Sequence, residues 1–118
     1  MTTCLVIGAT GFIGGQIALA AVARGWQVRA LRRRAGAVGA LGEAPVAWWS
    51  GDLADRASLS AAMRGCDVVF HAAGAYPHGA RRLAQEIKAA EGHMRTVLEA
   101  FEAAGAGRLV YTSSFTTI

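Results

Sequence analysis

Several residue types that organise other classes of protein are scarce in this chain. Two cysteines in 118 residues are too few for a disulfide framework. Cys4 and Cys66 do not form a metal-ligand spacing either, so both are predicted to be small buried thiols and no metal site is expected. Charged residues reach only 17% while hydrophobic residues reach 53%, which excludes an intrinsically disordered chain.

Long hydrophobic runs are missing as well. Gly, Arg or Asp interrupts each apolar run well before the ~20 residues that a membrane-spanning helix needs. The first residues, MTTCLVIGATGFIGG, carry no basic region ahead of their apolar stretch, so a secretory signal peptide is not expected. The composition predicts one cytoplasmic domain without a membrane partner.

Short apolar runs alternate with helical patterns along the whole chain. The predicted strands are 3–7, 27–31, 46–50, 68–72 and 108–112, and the predicted helices are 12–24, 55–64 and 82–104. Asp55 is expected to cap the second helix. Strands joined by crossover helices predict an α/β fold, a doubly wound parallel sheet of order 3-2-1-4-5 between two layers of helices. In such a sheet ligands bind at the carboxyl ends of the strands.

A glycine-rich loop lies between the first strand and the first helix. The stretch VIGATGFIGG places Gly8, Gly11 and Gly14 in a G-x-x-G-x-x-G spacing. One glycine permits the tight turn, another lets the backbone approach a pyrophosphate, and the third allows close packing of helix on strand. The free N–H groups at the start of the helix then attract phosphate. This pattern predicts dinucleotide binding.

The end of the second strand carries arginines where many dinucleotide-binding domains have an acidic residue. An Asp or Glu there would bind the ribose 2′-hydroxyl, whereas VRALRRRAG offers Arg32, Arg33 and Arg34. A guanidinium is a planar donor suited to a 2′-phosphate. We therefore expect NADP(H) to be preferred, with NAD(H) possible, while a solvated basic loop is the alternative.

The same arginines raise the question of nucleic acid. The net charge is +4, and Arg29 extends the basic cluster. No stacking aromatic residues are interleaved with these arginines, so a smaller anion explains the cluster better and no nucleic-acid partner is predicted.

Four segments, GATGFIGG, GDLAD, VVFHAAG and LVYTSS, occur in the order and spacing of a known family. With them the chain resembles the N-terminal part of an extended short-chain dehydrogenase/reductase of the NAD(P)-dependent epimerase/dehydratase superfamily. The resemblance covers residues 1–118 and implies a Rossmann-type NAD(P)-binding domain. The parent protein would transfer hydride to or from a small-molecule carbonyl or carbinol, on a nucleotide-sugar, dihydroflavonol-like or sterol-like substrate. The alternative is a non-catalytic NADP(H)-binding sensor of the NmrA-like type.

The resemblance implies a set of cofactor contacts that follow the strands. Asp52 would bind the adenine amino group, although a simple turn residue is the alternative. Arg33 matches an arginine of similar NADPH reductases, and small residues after the fourth strand would let the cofactor lie against the backbone. The full set is Gly8, Thr10, Gly11, Phe12, Ile13, Gly14, Arg32, Arg33, Asp52, Leu53, Ala72, Ala73, Gly74 and Ser113.

The resemblance also assigns a catalytic hydroxyl. Ser114, with Ser113 as the alternative, matches the serine that hydrogen-bonds the reacting oxygen, unless these hydroxyls only satisfy local backbone groups. The family's Tyr-x-x-x-Lys pair, its acid/base, is not present: neither Tyr76 nor Tyr111 has a lysine four residues later. The family's sixth strand and substrate-binding part do not follow either, which predicts the front portion of a longer enzyme.

The long helix predicted over 82–104 departs from the family pattern at two positions. Relatives place an Asn and, three residues later, a Gly where this chain has Ala90 and His93. The helix is amphipathic and offers an apolar face for packing or for a homodimer. His71 is predicted to be a packing or hydrogen-bonding residue that forms no cluster with His93.

Overall fold

The structure, a computed structural model, describes residues 1–33, 36, 39–72 and 83–112. Within these residues, five strands alternate with three α-helices and one 3-10 turn. In chain order these are β1 (Thr3–Ile7), α1 (Phe12–Ala23), β2 (Gln27–Arg32), the turn Gly39–Leu41, β3 (Ala47–Ser50), α2 (Arg56–Met63), β4 (Val68–His71), α3 (Leu83–Ala104) and β5 (Arg108–Tyr111).

The five strands form one parallel sheet of order β3-β2-β1-β4-β5, which confirms the predicted topology. Every neighbouring pair is parallel. The order reverses direction at β1, where the chain crosses from β2 and β3 on one side to β4 and β5 on the other. In a doubly wound sheet this switch point opens a crevice at the carboxyl ends of the strands.

The sheet is buried on both faces by helices, as parallel sheets usually are. Alternate residues of β1 enter different cores, because side chains alternate along a strand. Leu5 and Ile7 pack with α2 and α3 on what we call the α2 face. Cys4 and Val6 pack with α1 on what we call the α1 face.

Most element ends lie within one residue of the predicted positions. β2 continues to Arg32, one residue further than predicted, because Arg32 still pairs with Ser50. β3 begins one residue later than predicted: the Val46 N–H donates to the Ala44 carbonyl at 2.8 Å and so forms part of a turn. Asp55 caps α2 as predicted, and its Oδ1 accepts from the backbone N–H groups of Ala57 and Ser58 at 3.1 and 3.3 Å.

Helix α3 packs beside α2 against the sheet. Val97 and Ala100 are fully buried in the core of the α2 face, and Arg56 of α2 pairs with Glu99 at 3.2 Å. The apolar face of α3 is therefore largely used within the domain, although Leu98 remains exposed. A homodimer through this helix stays a prediction. None of the described helices combines the length and the apolar character required to cross a bilayer.

Candidate functional site

A cavity of about 430 Å³ opens at the carboxyl ends of β1, β2 and β3. Its floor is the start of the glycine-rich loop, and its walls come from the residues that follow β2 and β3 and from one side of α3. The lining residues are Ile7, Gly8, Thr10, Leu31, Arg32, Arg33, Gly51, Asp52, Leu53 and His93. Six of them belong to the cofactor set expected from the sequence.

The glycine-rich loop has the backbone geometry that its spacing predicts. Gly8 has a φ of 87°, a conformation that side-chain-bearing residues avoid. The Gly11 N–H closes the turn by donating to the Gly8 carbonyl at 3.0 Å. At Gly14 an added Cβ would lie only 2.0 Å from the Gly8 oxygen, so only glycine allows α1 to pack this closely on the end of β1. These observations assign the tight turn to Gly8 and the close packing to Gly14.

The N-terminus of α1 is open toward the loop. Gly11 is the N-cap and supplies no side-chain hydrogen bond, and the first helical bond runs from the Gly15 N–H to the Gly11 carbonyl at 2.9 Å. The N–H groups of the first turn therefore have no acceptor within the helix. Phe12 and Ile13 are exposed beside them. A helix start of this kind attracts phosphate through its N–H groups and its dipole.

The basic cluster divides between the two faces of the sheet. Arg29 lies over the Trp49 ring at 4.8 Å and donates to the carbonyls of Ala62 and Arg64 at 2.8 and 2.6 Å. Through its Nη1 group it therefore caps the end of α2. Arg32 points the other way, over the Trp48 ring at 4.7 Å, and lines the cavity.

Asp52 lies at the start of the loop that follows β3. Its Oδ1 accepts from the Ala54 N–H at 2.8 Å, and its own N–H donates to the Ser58 hydroxyl at 3.2 Å. The carboxylate thus stabilises a turn, which is one of the two roles considered for it. Asp52 also lines the cavity together with Leu53. The contact between Asp52 and the adenine amino group stays a prediction, in addition to the role of Asp52 in the turn.

His93 is a cavity residue that the sequence interpretation missed. It lines the cavity from α3, and that it forms no cluster with His71 stays a prediction. His71 ends β4, is only 3% exposed and stacks at a tilt on Tyr111, with ring centroids 5.1 Å apart. Burial lowers the pKa of His71, and His93 lowers it further. A buried neutral imidazole agrees with the packing role predicted for it.

The signal that could have found His93 was its position. The resemblance implies a glycine there, so the histidine is a departure from the family pattern, and this departure coincides with a residue that lines the cavity. Periodicity alone carries no such information, because it gives the face of a helix and not the distance to a cavity.

Several expected contacts beyond β4 and β5 lie outside the described residues: Ala73, Gly74, Ser113 and Ser114. Next to them, the Ala72 N–H donates to the Ile7 carbonyl at 2.8 Å, and Thr112 uses its hydroxyl on the His71 carbonyl at 3.3 Å. The backbone therefore carries β4 and β5 to the same edge of the sheet as the cavity. The structure leaves the catalytic assignment of Ser114 as a prediction.

Both cysteines are buried and free, as predicted from their apolar surroundings. Burial, and to a smaller extent Cys66, raise the pKa of Cys4 to about 11. Thiols of this kind hold little thiolate at neutral pH, so they are poor nucleophiles and poor metal ligands. Over the described residues, no group of three His, Cys, Asp or Glu side chains could hold a metal ion.

The features of this cavity suit a dinucleotide and its phosphate groups. Gly51 lines the cavity and packs tightly against Leu31, since a Cβ there would lie 2.5 Å from Leu31 Cδ1. The open helix start and the glycine turn suit the pyrophosphate, and Arg32 and Arg33 provide cationic donors nearby. The residues present therefore fit a nicotinamide dinucleotide, whose nicotinamide ring would supply the hydride acceptor or donor when bound.

Comparisons with known proteins agree with this geometry. Residues 8–117 match a family model described as NAD(P)H-binding. Sterol demethylase protein B of Methylococcus capsulatus is 36% identical over 115 residues, which are 96% of this chain and 34% of that protein. Dihydroflavonol 4-reductase of Zea mays is 33% identical over 126 residues, covering 98% of this chain and 35% of the plant protein.

A solved structure supports the fold. UDP-glucose-4-epimerase of Stenotrophomonas maltophila, with bound NAD and formylated UDP-arabinopyranose, superposes with a TM-score of 0.81 at 25% identity and covers 98% of this chain and 38% of that one. The chain spans about a third of the length of the curated relatives it matches. It belongs to the NAD(P)H-binding family, as a Rossmann-type domain of the epimerase/dehydratase-like short-chain dehydrogenases/reductases.

Proposed function

We propose that this domain binds NADP(H) in preference to NAD(H) and serves hydride transfer to or from a carbonyl or carbinol carbon. The observation that carries the cofactor preference is the pair Arg32 and Arg33 at the end of β2, both of which line the cavity. No carboxylate occupies this strand end, where an acidic residue would bind the ribose 2′-hydroxyl of NAD(H). The two guanidiniums supply donors that match phosphate geometry.

Trp48 supports the role of Arg32. The guanidinium lies 4.7 Å from the centre of the indole ring, and a planar guanidinium stacked on an aromatic face loses less entropy when it binds an anion than a freely moving side chain would. Because Trp48 is fixed in β3 by pairing with Ala30, the sheet itself sets the position of the arginine. This arrangement favours a specific phosphate site over a solvated basic loop.

The substrate class is proposed from the relatives. Their names include a dihydroflavonol 4-reductase and a human sterol-4-alpha-carboxylate 3-dehydrogenase, whose substrates are carbonyl or carbinol compounds. A polycyclic substrate of this kind, or a nucleotide sugar, would meet the nicotinamide beyond β4 and β5, where Ser114 is proposed to hydrogen-bond the reacting oxygen. Arg32 and Arg33 favour the reductases over the epimerases.

The test is a calorimetric titration of this chain with NADP+ and with NAD+. We expect tighter binding of NADP+, and a loss of about 30- to 100-fold in NADP+ affinity when Arg32 and Arg33 are both changed to Ala, since each charge-assisted hydrogen bond contributes about 1.5–3 kcal/mol before screening. NAD+ affinity should change little. The matched control changes Arg24 and Arg108 to Ala, two exposed arginines elsewhere, and removes the same charge. Equal losses in the two double variants would mean that the preference comes from net charge, and would contradict the proposal.

A further inference from the structure

His93 is the cavity residue to which neither the family pattern nor the proposed function gives a role. It lies four residues before Val97, which is fully buried in the core of the α2 face. Residues four apart share one face of a helix, so the packing of Val97 turns His93 toward the carboxyl ends of the strands. Val97 in the core and His93 in the cavity wall are thus one helical turn apart, and the position of α3 fixes the position of the imidazole.

Among the described residues, the charged or titratable side chains near His93 lie at the ends of three strands. β2 contributes Arg32 and Arg33 at its end, Asp52 follows β3, and His71 ends β4. The end of β1 brings only Ile7 and Gly8, which do not titrate. The Asp52 carboxylate already accepts a backbone hydrogen bond.

Without a ligand, the charged side chains that line this cavity are the guanidiniums of Arg32 and Arg33 and the carboxylate of Asp52. The two guanidiniums outnumber the single carboxylate, and His71 beside them is buried with a pKa that burial lowers. A bound dinucleotide reverses the balance, because its phosphates bring negative charge into the same space. A histidine is the side chain whose charge such a change can alter near neutral pH.

We propose that His93 contacts the adenosine half of the bound dinucleotide, donates an N–H to one of its phosphate oxygens, and takes up a proton from solvent as the ligand binds. The proposal rests on the proposed function, since it needs a dinucleotide in this cavity. The adenosine half is indicated because His93 shares the cavity with Leu31, Asp52 and Leu53, which lie at the ends of β2 and β3, away from β5. Affinity for NADP+ then rises as the pH falls through the range in which His93 gains its proton.

The test compares the wild-type chain with His93→Gln in titrations with NADP+ and with adenosine 2′,5′-bisphosphate, at pH 6 and pH 8. Gln keeps a donor of similar reach but carries no charge. We expect His93→Gln to weaken both ligands about tenfold at pH 6, and less than about twofold at pH 8, as the loss of one charge-assisted bond predicts. The bisphosphate lacks the nicotinamide half, so an equal effect on it places His93 at the adenosine end. The 2′-phosphate also titrates in this range, but it does so with both proteins.

Arg95→Gln is the matched control, since Arg95 is an exposed cation on the same helix that does not line the cavity. It should leave the difference between pH 6 and pH 8 unchanged. Repeating the titration in two buffers with different heats of ionisation measures proton uptake directly, and uptake should be smaller with His93→Gln. Thermal unfolding of each variant establishes that it is folded.

The outcomes separate the two proposals. If the wild type binds NADP+ and His93→Gln binds equally well at pH 6, or loses the same factor at both pH values, the role of His93 is overturned and the proposed function stands. If the wild type binds neither NADP+ nor the bisphosphate, the proposed function itself is overturned.

Discussion

Arg29 and Arg32 belong to one strand and make nearly the same ring contact, yet they lie in two different regions of the molecule. Arg29 is on the α2 face, over Trp49, where the carbonyls of Ala62 and Arg64 use its donors. Arg32 is at the cavity, over Trp48. Three residues along a strand place side chains on opposite faces, so the same residue type serves stability in one region and faces a ligand site in the other.

The two regions differ in what the side chains face. On the α2 face, Arg29 donates to the carbonyls of Ala62 and Arg64 at the end of α2. The last carbonyls of a helix have no donor within the helix, so this contact stabilises the fold. At the cavity, Arg32, Arg33 and His93 line one open space. Substitutions on the α2 face should therefore change the free energy of unfolding, and substitutions at the cavity should change binding. The four predictions below test this separation.

The largest effect is expected at Gly14, where α1 packs on the glycine turn. Gly14→Ala places a Cβ 2.0 Å from the Gly8 oxygen, so α1 must move away from β1. We expect a loss of about 2–4 kcal/mol in the free energy of unfolding, together with loss of detectable NADP+ binding. Denaturant unfolding and calorimetric titration measure the two effects.

Gly92→Ala is the control for that substitution, since a Cβ at Gly92 in α3 meets nothing within 4 Å. It should stabilise the chain by about 0.5–1 kcal/mol, as alanine does in a helix. A Gly14→Ala variant as stable as the wild type would show that the loop can relax, and would remove the steric explanation.

The next effect is expected at Arg29. Arg29→Met keeps much of the side-chain volume but leaves the carbonyls of Ala62 and Arg64 without their donor, and should cost about 1.5–3 kcal/mol of unfolding free energy. NADP+ affinity of the folded variant should stay within about twofold of the wild type. The same substitution at the exposed Arg24 is the control and should change neither quantity. A large loss of NADP+ binding with Arg29→Met would show that Arg29 also affects the cavity, and would contradict the separation of the two regions.

A smaller effect, in pH dependence, is expected at His71. Burial, and then His93, lower its pKa from the ordinary value of 6.5, so the unfolded chain binds more protons than the folded one below that value. Stability contributed by the neutral ring is therefore present above pH 6.5 and is lost as the pH falls toward the lowered folded value.

The measurement for His71 is denaturant unfolding at pH 7.5 and at pH 5.5. His71→Phe keeps a ring against Tyr111 and cannot titrate, so its stability should decline less between the two pH values than that of the wild type. Equal declines would mean that other groups carry the acid sensitivity.

The smallest effect is expected at the two tryptophans. Trp48→Leu removes the ring under Arg32 and should lower the ratio of NADP+ to NAD+ affinity by about two- to fivefold, the size of an exposed cation–π contact. Trp49→Leu, the matched substitution under Arg29, should leave the ratio unchanged and cost stability instead. The titrations with both cofactors decide, and an unchanged ratio with Trp48→Leu would show that the ring does not position the arginine.

Particular residues show how far sequence reasoning reaches. The spacing of Gly8, Gly11 and Gly14 and the alternation of apolar runs were enough for the strand order and for the loop, because both follow from local periodicity and backbone sterics. The division of Arg29 from Arg32 could have been read from strand alternation. The carbonyls that Arg29 meets could not, since Ala62 and Arg64 are more than 30 residues away along the chain.

The sequence by itself determined the secondary structure, the order of the sheet and the glycine turn, since each depends on interactions between near neighbours and on general rules of handedness and connection. Only the tertiary structure decided which polar groups share the cavity. His93 of α3 and Arg32 of β2 meet there because a helix packed through Val97 crosses strands that are distant in the chain. The physical reason is that a binding site needs groups brought together by packing, and packing is set by the whole core.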